Sequence, residues 1–176
     1  MELRKATLKD LTEIMPIIKD GRAALRDMGI DQWQGAYPNE ESVLASINDG
    51  NAYVCTRENE ILGYAVLKFG IEQSYNKIIN GKWKSNKPYA TIHTTATSLK
   101  AKNKGVMSFI VREFEKICLE NNIEWLRIDT HKGNAPMRNF IAKNGFEQSG
   151  IIHLPKEWGG GERERIVYEK KCKKLM

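Results

Sequence analysis

The sequence predicts an α/β fold of the α+β type, with a mixed and mostly antiparallel central sheet of about six to seven strands flanked by about four helices. Segments with helical periodicity alternate with short β-branched runs, in the order strand, helices, three strands, helix, strand, helix and two strands. The length of 176 residues suits one domain with a single core. We therefore expect a single domain over residues 1–170, followed by a basic tail at residues 171–176.

The first predicted element is a strand at residues 3–6, and an amphipathic helix follows it. Thr7 and Asp10, three residues apart, form the capping-box pattern of a helix start. A proline inside a helix removes a hydrogen bond, and a glycine lowers the helix propensity. We therefore expect Pro16 and Gly21 to kink or split this helix.

A loop at residues 30–39 carries two large aromatic residues, Trp33 and Tyr37, and leads into a second helix. Asn39 is a favoured N-cap residue and Gly50 is a favoured terminator, so they set the ends of this helix. Aromatic residues in such a loop either fill the core or contact a ligand.

The middle of the chain predicts three strands. Apolar and β-branched runs at residues 52–56 and 61–69 are joined by a polar turn at residues 57–60, which indicates a hairpin. Residues 70–88 show no regular pattern and predict an insertion or a flap. Residues 89–97 are rich in β-branched residues and predict another strand.

The last third predicts a helix, a strand, a second helix and two strands. The first of these helices ends at Asn121 and Asn122, and its apolar stripe consists of Met107, Ile110, Val111, Phe114, Ile117 and Cys118. The later elements are a strand at residues 124–130, a helix between caps at Asn134 and Gly145, and strands at residues 148–154 and 163–170 around a loop at residues 155–162.

The composition argues against metal, disulfide and membrane classes. The three cysteines lie far apart and the three histidines form no HExxH pair, so we expect no metal site and no disulfide framework. No apolar run has the length of a signal peptide or a membrane span, so we expect a cytoplasmic protein.

The charge is basic and unevenly distributed. The net charge is +6, and residues 73–111 contain seven lysines and no acidic residue. Such a block indicates either a polyanionic partner or a solvated surface. Nucleic acid, a membrane surface and a phosphorylated cofactor are all candidate partners for it.

The segment "KAKNKGVMS" (residues 100–108) places three of these lysines and a glycine at a helix start. The first N–H groups of a helix have no internal partner, and Gly105 would let an anion approach them closely. The segment matches neither GxxxxGK[ST] nor GxGxxG, which excludes the P-loop and dinucleotide patterns. On these residues alone, a solvated basic turn is the simpler interpretation and a phosphate site is the alternative.

The chain resembles the GCN5-related N-acetyltransferase family over residues 3–170. The family's Gln/Arg-x-x-Gly-x-Gly/Ala motif matches Lys102, Gly105 and Met107, with methionine where a small residue is usual. The segments "YATIHTTATSLKAKNKGVM" and "IDTHKGNAPMRNFIAKNGF" resemble a bacterial subgroup of this family. The resemblance implies that family's fold and acetyl-coenzyme A as the co-substrate.

By this resemblance, the basic loop would hold the pyrophosphate of acetyl-coenzyme A and the preceding strand edge would pair with the pantetheine arm. The implied cofactor-binding residues are Thr95, Ala96, Thr97, Lys102, Asn103, Lys104, Gly105, Val106, Met107, Ser108 and Asn134. Ordinary ladder pairing is the alternative for the strand edge. A plain N-cap is the alternative for Asn134, and the two roles are compatible.

The resemblance implies acyl transfer to a primary amine, which must lose a proton before it attacks the thioester. The family's usual general acid is a tyrosine at the position of Ile141, which cannot donate a proton. We predict His93 as the catalytic base, acting directly or through water, with a structural histidine as the alternative. Alternation along the strand would place it on one face with Thr91, Thr95 and Thr97.

The acceptor site implied by the resemblance includes the loop with Trp33 and Tyr37, for which core packing is the alternative. Asp31, Glu40 and Glu72 would suit a cationic amine. We expect an amine of a small molecule or peptide as the partner, with no nucleic acid and no membrane, and a homodimer is left open.

Two other functions are alternatives: a coenzyme A sensor with little catalysis, and an RNA-binding module in which Trp83 and Tyr89 stack on bases. Asp129 and His131 form an "IDTH" segment that could be a catalytic pair. An ordering network is the interpretation that we favour for these two residues.

Overall fold

The computed structural model describes residues 1–156 and 161–173. Its strands are β1 (Glu2–Lys5), β2 (Ala52–Arg57), β3 (Glu60–Phe69), β4 (Tyr89–Thr97), β5 (Trp125–Thr130), β6 (Glu147–His153) and β7 (Glu164–Lys171). Its helices are α1 (Leu11–Asp27), α2 (Glu40–Asn48), α3 (Val106–Glu120) and α4 (Ala135–Lys143). Short 3-10 helices lie at Leu8–Asp10, Gln73–Asn76 and Leu99–Ala101.

The strands form one seven-stranded sheet in the order β1-β2-β3-β4-β5-β7-β6. Neighbouring strands are antiparallel except β4 and β5, which are parallel. Buried residues of α1 and α2 pack on one face of the sheet, and buried residues of α3 and α4 pack on the other. The predicted fold class is therefore confirmed.

The predicted capping box is present, at the start of the 3-10 helix (Leu8–Asp10) that leads into α1. The Asp10 carboxylate accepts a hydrogen bond of 2.7 Å from the Thr7 N–H and two of 2.8 Å from the Arg4 guanidinium. These donors stabilise the charged form, and the Arg4 hydrogen bond, as the largest cause, lowers the pKa of Asp10 to about 2. The helix start is thereby tied to β1.

We expect Asp10→Asn to lower the free energy of unfolding at pH 7 by about 1–2 kcal/mol, because the cap and the ion pair are both weakened. Because the pKa of Asp10 is depressed in the folded state, its charged form stabilises the fold at pH values above the unfolded pKa of 3.8. This stabilisation is lost as the pH falls toward the folded pKa of about 2. Urea unfolding of both proteins at pH 7 and near pH 2.5 checks this. A difference that persists undiminished at the lower pH would contradict the assignment.

α1 is one continuous helix, so the predicted split at Pro16 or Gly21 is wrong, and the alternative of a kink stays a prediction. Its buried residues Ile14, Ile17, Ile18 and Leu25 pack against the core, and this packing outweighs the low propensity of one proline and one glycine. Gly21 serves close packing, since a Cβ there would lie 3.1 Å from a ring carbon of Trp33.

The covering segment (residues 70–88) packs on the sheet. Ile79 pairs with Ile151 of β6 through backbone hydrogen bonds of 2.8 and 2.9 Å. Tyr75 is 1% exposed, in a small core that also contains Tyr89, Ile152 and Val167. This irregular insertion therefore covers one end of the sheet, on the same face as α1.

Arg127 of β5 fastens the covering segment to the sheet. Its guanidinium lies 3.8 Å from the ring centroids of both Trp83 and Tyr89, and its Nη2 donates to the Ser85 carbonyl at 2.7 Å. Glu169 of β7 lies 3.6 Å from its Nε. Both rings stack on this cation, which gives them a structural role in the folded protein.

A bulge in β4 changes which face its side chains occupy. Val66 of β3 lies opposite His93, and Tyr64 lies opposite Ala96, so two β4 residues fall against one β3 residue between these pairs. Thr94, within the bulge, has a positive φ of 45°. Alternation is therefore interrupted between His93 and Ala96.

The prediction that His93 shares a face with Thr95 and Thr97 is wrong because of this bulge. His93 lies opposite Val66, a residue of the core under α1, and keeps the face of Thr91. Thr97 lies opposite Gly63, where a Cβ would meet Val106 and Ile110 of α3. Thr95 and Thr97 therefore belong to the α3 face.

β4 and β5 stop pairing just before the bulge. They pair only over residues 89–92 of β4 and 125–128 of β5. β4 continues to Thr97, while the β5 side offers its residues 93–97 no partner among the described residues. An open strand edge therefore lies inside the sheet.

The chain end differs from the predicted tail at residues 171–176. Lys171 is the last residue of β7, and Cys172 is 6% exposed and donates its N–H to the Glu124 carbonyl at 2.8 Å. Residues 174–176 lie outside the described residues. Among the helices of the described part, none is both long enough and apolar enough to cross a membrane.

Candidate active site

A cavity of about 920 Å³ follows the open edge of β4 from the start of α3 to the covering segment. It unites nearly all the residues predicted from the sequence: Trp33, Tyr37, His93, Thr95, Ala96, Thr97, Lys102, Asn103, Gly105, Val106, Met107, Ser108 and Asn134. Lys104 is exposed and does not line it. Of the predicted loop at residues 155–162, Pro155 and Glu162 line the cavity, and residues 157–160 lie outside the described residues.

The start of α3 forms one end of the cavity and has no side-chain cap. Gly105 has φ +77°, and apart from its own chain neighbours no atom of the described residues lies within 4 Å of the position of a Cβ there. The first helical hydrogen bond runs from the Phe109 N–H to the Gly105 carbonyl at 3.0 Å. The N–H groups of Val106, Met107 and Ser108 therefore have no helical partner, and this end of the cavity suits an anion.

Met107 occupies the position where the resemblance leads one to expect a small residue. Its side chain is half-buried and packs against the core that contains Ile110 and Phe114. Met107 therefore both packs on the core and lines the cavity beside the backbone N–H groups.

The side walls of the cavity come from β4 and α4. Thr95, Ala96 and Thr97 line it along the open edge of β4. Asn134 caps α4, because its side-chain oxygen accepts from the Met137 N–H at 3.2 Å, and it also lines the cavity. The N-cap role and a position beside a ligand are therefore compatible for Asn134.

His93 lies at the other end of the cavity and has a carboxylate partner. Its Nε2 lies 3.2 Å from Oε2 of Glu72 in the covering segment. The His93 hydrogen bond is the largest cause that lowers the pKa of Glu72, so this carboxylate is charged at neutral pH. A charged carboxylate accepts a hydrogen bond from Nε2–H, and in that tautomer of the neutral ring Nδ1 of His93 carries the lone pair.

Glu72 is itself held in place. It is 9% exposed, and its backbone N–H donates to the Tyr89 hydroxyl at 2.9 Å. Among the three acids predicted to favour a cationic amine, Glu72 and Asp31 line the cavity and Glu40 does not. The sequence therefore indicated Glu72 as a candidate acid for the acceptor site. Its pairing with His93 could not be predicted from a local sequence pattern, because the two residues are 21 positions apart.

Tyr37 and Trp33 line the cavity opposite β4. The Tyr37 hydroxyl and the Thr94 Oγ1 lie 2.6 Å apart, and burial is the main cause that raises the pKa of Tyr37. The Trp33 side chain is half-buried and packs on the core under α1. Arg22 of α1 holds their loop by donating to the carbonyls of Gly35 and Pro38. Core packing and cavity lining therefore both apply to Trp33.

The "IDTH" segment forms an ordering network. The Tyr75 hydroxyl donates to Asp129 Oδ2 at 2.7 Å. His131 accepts from the Gly133 N–H at Nδ1 (3.0 Å), and its Nε2 lies 2.7 Å from a Glu162 carboxylate oxygen. These contacts support the ordering role that the sequence favours for Asp129 and His131.

The fold is one that a family of acyltransferases shares. A family model described as "Acetyltransferase (GNAT) family" matches residues 18–146, and the chain therefore belongs to this family. Members of the family transfer acetyl groups and generally use acetyl-coenzyme A.

Solved structures of related proteins agree with this assignment. A GNAT-family acetyltransferase from Streptococcus agalactiae is 28% identical, with a TM-score of 0.84 and coverage of 98% of this chain and 96% of that chain. A putative acetyltransferase from Staphylococcus aureus (20% identical, TM-score 0.71, 98% and 100% covered) and a GNAT-family acetyltransferase from Listeria monocytogenes (15%, 0.71, 97% and 94%) share the fold. No curated protein matches the chain.

Proposed function

We propose that the protein is an N-acetyltransferase that moves the acetyl group of acetyl-coenzyme A to a primary amine. One observation carries this proposal. The open edge of β4 has the uncapped start of α3 at one end and the His93–Glu72 pair at the other, within a single cavity. This arrangement suits a long molecule with an anionic end and a reactive end.

The phosphate end has the donors that a pyrophosphate needs. The N–H groups of Val106, Met107 and Ser108 are free of helical partners, and Lys102 adds a positive charge beside the cavity. An amide-bearing arm could add to the open edge at residues 93–97 of β4 as an extra strand, because backbone hydrogen-bonding groups there lack a β5 partner. The same edge leads to His93.

The chemistry begins with proton removal. A primary amine arrives mostly as an ammonium ion, and Nδ1 of His93 would accept its proton while Glu72 holds the ring at Nε2. The amine nitrogen then forms a bond to the thioester carbon, the carbon–sulfur bond breaks, and its electron pair leaves on sulfur. The products are an N-acetylated amine and the thiol of coenzyme A, with one proton released in total.

The thiolate leaves readily with little need for a proton donor, because the pKa of a thiol lies near 8.5. Ile141, at the position of the family's usual tyrosine acid, is fully buried in the core with α3 and offers no proton. Tyr37 lines the cavity and retains its proton at neutral pH because burial raises the pKa of its hydroxyl. We therefore propose that Tyr37, and not a residue at position 141, places a tyrosine hydroxyl near the reacting atoms.

An amine of a small molecule or peptide is the proposed partner, with neither nucleic acid nor membrane. Three of the seven lysines in the block at residues 73–111 have a carboxylate partner on the protein, which lowers the charge that this surface offers to a polyanion. Lys84 pairs with Glu147, Lys87 with Glu124 and Lys100 with Glu60.

Two measurements on the purified protein test the function. Acetyl-coenzyme A at about 100 times its Kd is expected to raise the Tm by about 5–10 °C. Thiol release should then follow addition of amines from a panel of amino acids, amino amides, polyamines and simple alkylamines. No Tm shift would contradict the binding site, and a shift without thiol release from any amine would favour a sensor.

A further inference from the structure

Arg165, near the start of β7, is a buried cation that lines the reactive end of the cavity. It is 6% exposed. Its Nη1 donates to the backbone carbonyls of Glu162 and Glu164 at 2.7 and 2.8 Å. Within the described residues, its Nε and Nη2 have no hydrogen-bond acceptor, and no carboxylate oxygen lies within 4.0 Å of its nitrogens. A buried guanidinium with an unused edge requires an explanation.

The other buried arginine with an unbonded Nε, Arg127, shows what a structural solution looks like. Glu169 lies 3.6 Å from its Nε, and Trp83 and Tyr89 stack on both sides of it. Arg127 does not line the cavity. Arg165 has neither an ion-pair partner of this kind nor a recorded ring contact among the described residues, so its position calls for a partner from the cavity.

The carboxylates near Arg165 are already engaged elsewhere. Asp31 accepts from the Glu162 N–H at 2.6 Å, and the Glu162 carboxylate contacts His131 and Lys132 at 2.7 Å. The Tyr75 hydroxyl donates to Asp129 at 2.7 Å. These acids offset the charge of Arg165 from a distance but leave its Nε–Nη2 edge unused. That edge is the planar fork that binds a carboxylate with two parallel hydrogen bonds.

The sheet places this edge on the same face as the His93–Glu72 pair. Thr91 lies opposite Arg127, so His93 and Asp129, each two residues further on, share that face. Asp129 lies opposite Val167, and Arg165 precedes Val167 by two residues, so Arg165 shares it as well. One cavity therefore has a proton acceptor on β4 and a carboxylate-binding group on β7, with β5 between them.

We propose that the acceptor is an amino carboxylate, such as a free amino acid, whose carboxylate binds Arg165 while its amine lies at His93. This inference rests on the proposed function and narrows it to one chemical class of acceptor. Arg165 is then a specificity-determining residue, because an acceptor without a carboxylate leaves the Nε–Nη2 edge of the buried guanidinium without a hydrogen-bond acceptor.

The test begins with wild-type protein and matched acceptors that differ at one group. Leucine, leucinamide and isopentylamine present the same apolar chain and amine with a carboxylate, a carboxamide or neither. We expect kcat/KM for the amino acid to exceed that for the other two by about 10- to 100-fold, the range of a hydrogen-bonded charge. Other side chains and β- and γ-amino acids extend the series, and each is compared with its own amide.

Arg165→Gln is expected to remove this preference by lowering kcat/KM for the amino acid about 10- to 100-fold with little effect on the amide. Arg165→Lys should retain part of it, because the charge stays and the fork is lost. Arg57→Gln, at the exposed end of β2, makes the same charge change away from the cavity and should keep the preference. The Tm shift with acetyl-coenzyme A checks that each variant is folded.

The outcomes separate this inference from the proposed function. Thiol release that is equally efficient with the amides or the simple amines would overturn the carboxylate proposal while leaving N-acetyl transfer intact. A preference that survives in Arg165→Gln would also overturn the role of Arg165. No thiol release from any amine would defeat the proposed function itself. If Arg165→Gln does not fold, the wild-type comparison alone decides.

Discussion

His93→Ala is expected to lower kcat for acetyl transfer by about 10²- to 10⁴-fold, the usual contribution of a positioned general base. The ring nitrogen Nδ1 is the proposed acceptor of the amine proton, and its replacement leaves no titratable group at that point of β4. His93 lies away from the start of α3, so the Kd for acetyl-coenzyme A should change little. Single-turnover thiol release and a thermal-shift titration measure the two quantities separately.

Glu72→Gln provides the second arm of this experiment. Glu72 contacts the ring of His93 and not the reacting atoms in our proposal, so it is a positioning residue. We expect a smaller fall in kcat than for His93→Ala, with a changed pH profile, because a carboxamide holds the ring less firmly and lacks the negative charge of the Glu72 carboxylate. The double variant should be no slower than His93→Ala alone, since both act through one ring.

Glu120→Gln is the matched control, because Glu120 is an exposed residue at the end of α3. It should retain the wild-type kcat and pH profile. Unchanged turnover in His93→Ala would contradict the assignment of His93 as the general base and would indicate a structural role for it. Additive effects of His93→Ala and Glu72→Gln would show that Glu72 acts by another route.

Local patterns in the sequence predicted much of the fold because their causes are local. The turn at residues 57–60 joins β2 and β3 as expected, since Glu58 and Asn59 adopt the positive φ values that a tight hairpin requires. β4 covers the predicted residues, and Asn39 and Asn134 cap their helices through hydrogen bonds within three residues. Each of these features depends on neighbours along the chain.

The features that shape the His93 end of the cavity depend on residues far apart in the chain, so no local sequence pattern predicted them. The bulge between His93 and Ala96 comes from pairing with β3, and it moved Thr95 and Thr97 to the other face. The continuity of α1 likewise depends on its tertiary packing. Arg165 reads in the sequence as one more charge in a strand, and only the burial of its side chain beside the cavity distinguishes it.

Gly105→Val is expected to weaken acetyl-coenzyme A binding by about 100-fold. Gly105 has φ +77°, a conformation that is strained by about 1–3 kcal/mol for a side chain branched at Cβ. The free space around the Cβ position would let the variant relax to another backbone conformation. The anion would then meet misdirected N–H groups, and binding would have to restore the strained conformation. The Kd from a thermal-shift or calorimetric titration measures the loss.

Gly29→Val matches this substitution in strain and in free space. Gly29 has φ +72°, it does not line the cavity, and within the described part of the chain only its own neighbours lie within 4 Å of its Cβ position. The two variants should lose similar stability, and only Gly105→Val should lose affinity. Equal affinity in both variants would contradict the anion site at the start of α3.

Met107→Gly separates the backbone of this helix start from its side chain. The methionine packs on the core, so its loss should lower stability while the N–H groups at residues 106–108 stay available. We therefore expect acetyl-coenzyme A to bind at least as tightly as it binds to the wild type. A clear loss of affinity would mean that the Met107 side chain itself contacts the ligand, and the backbone account of this site would have to include it.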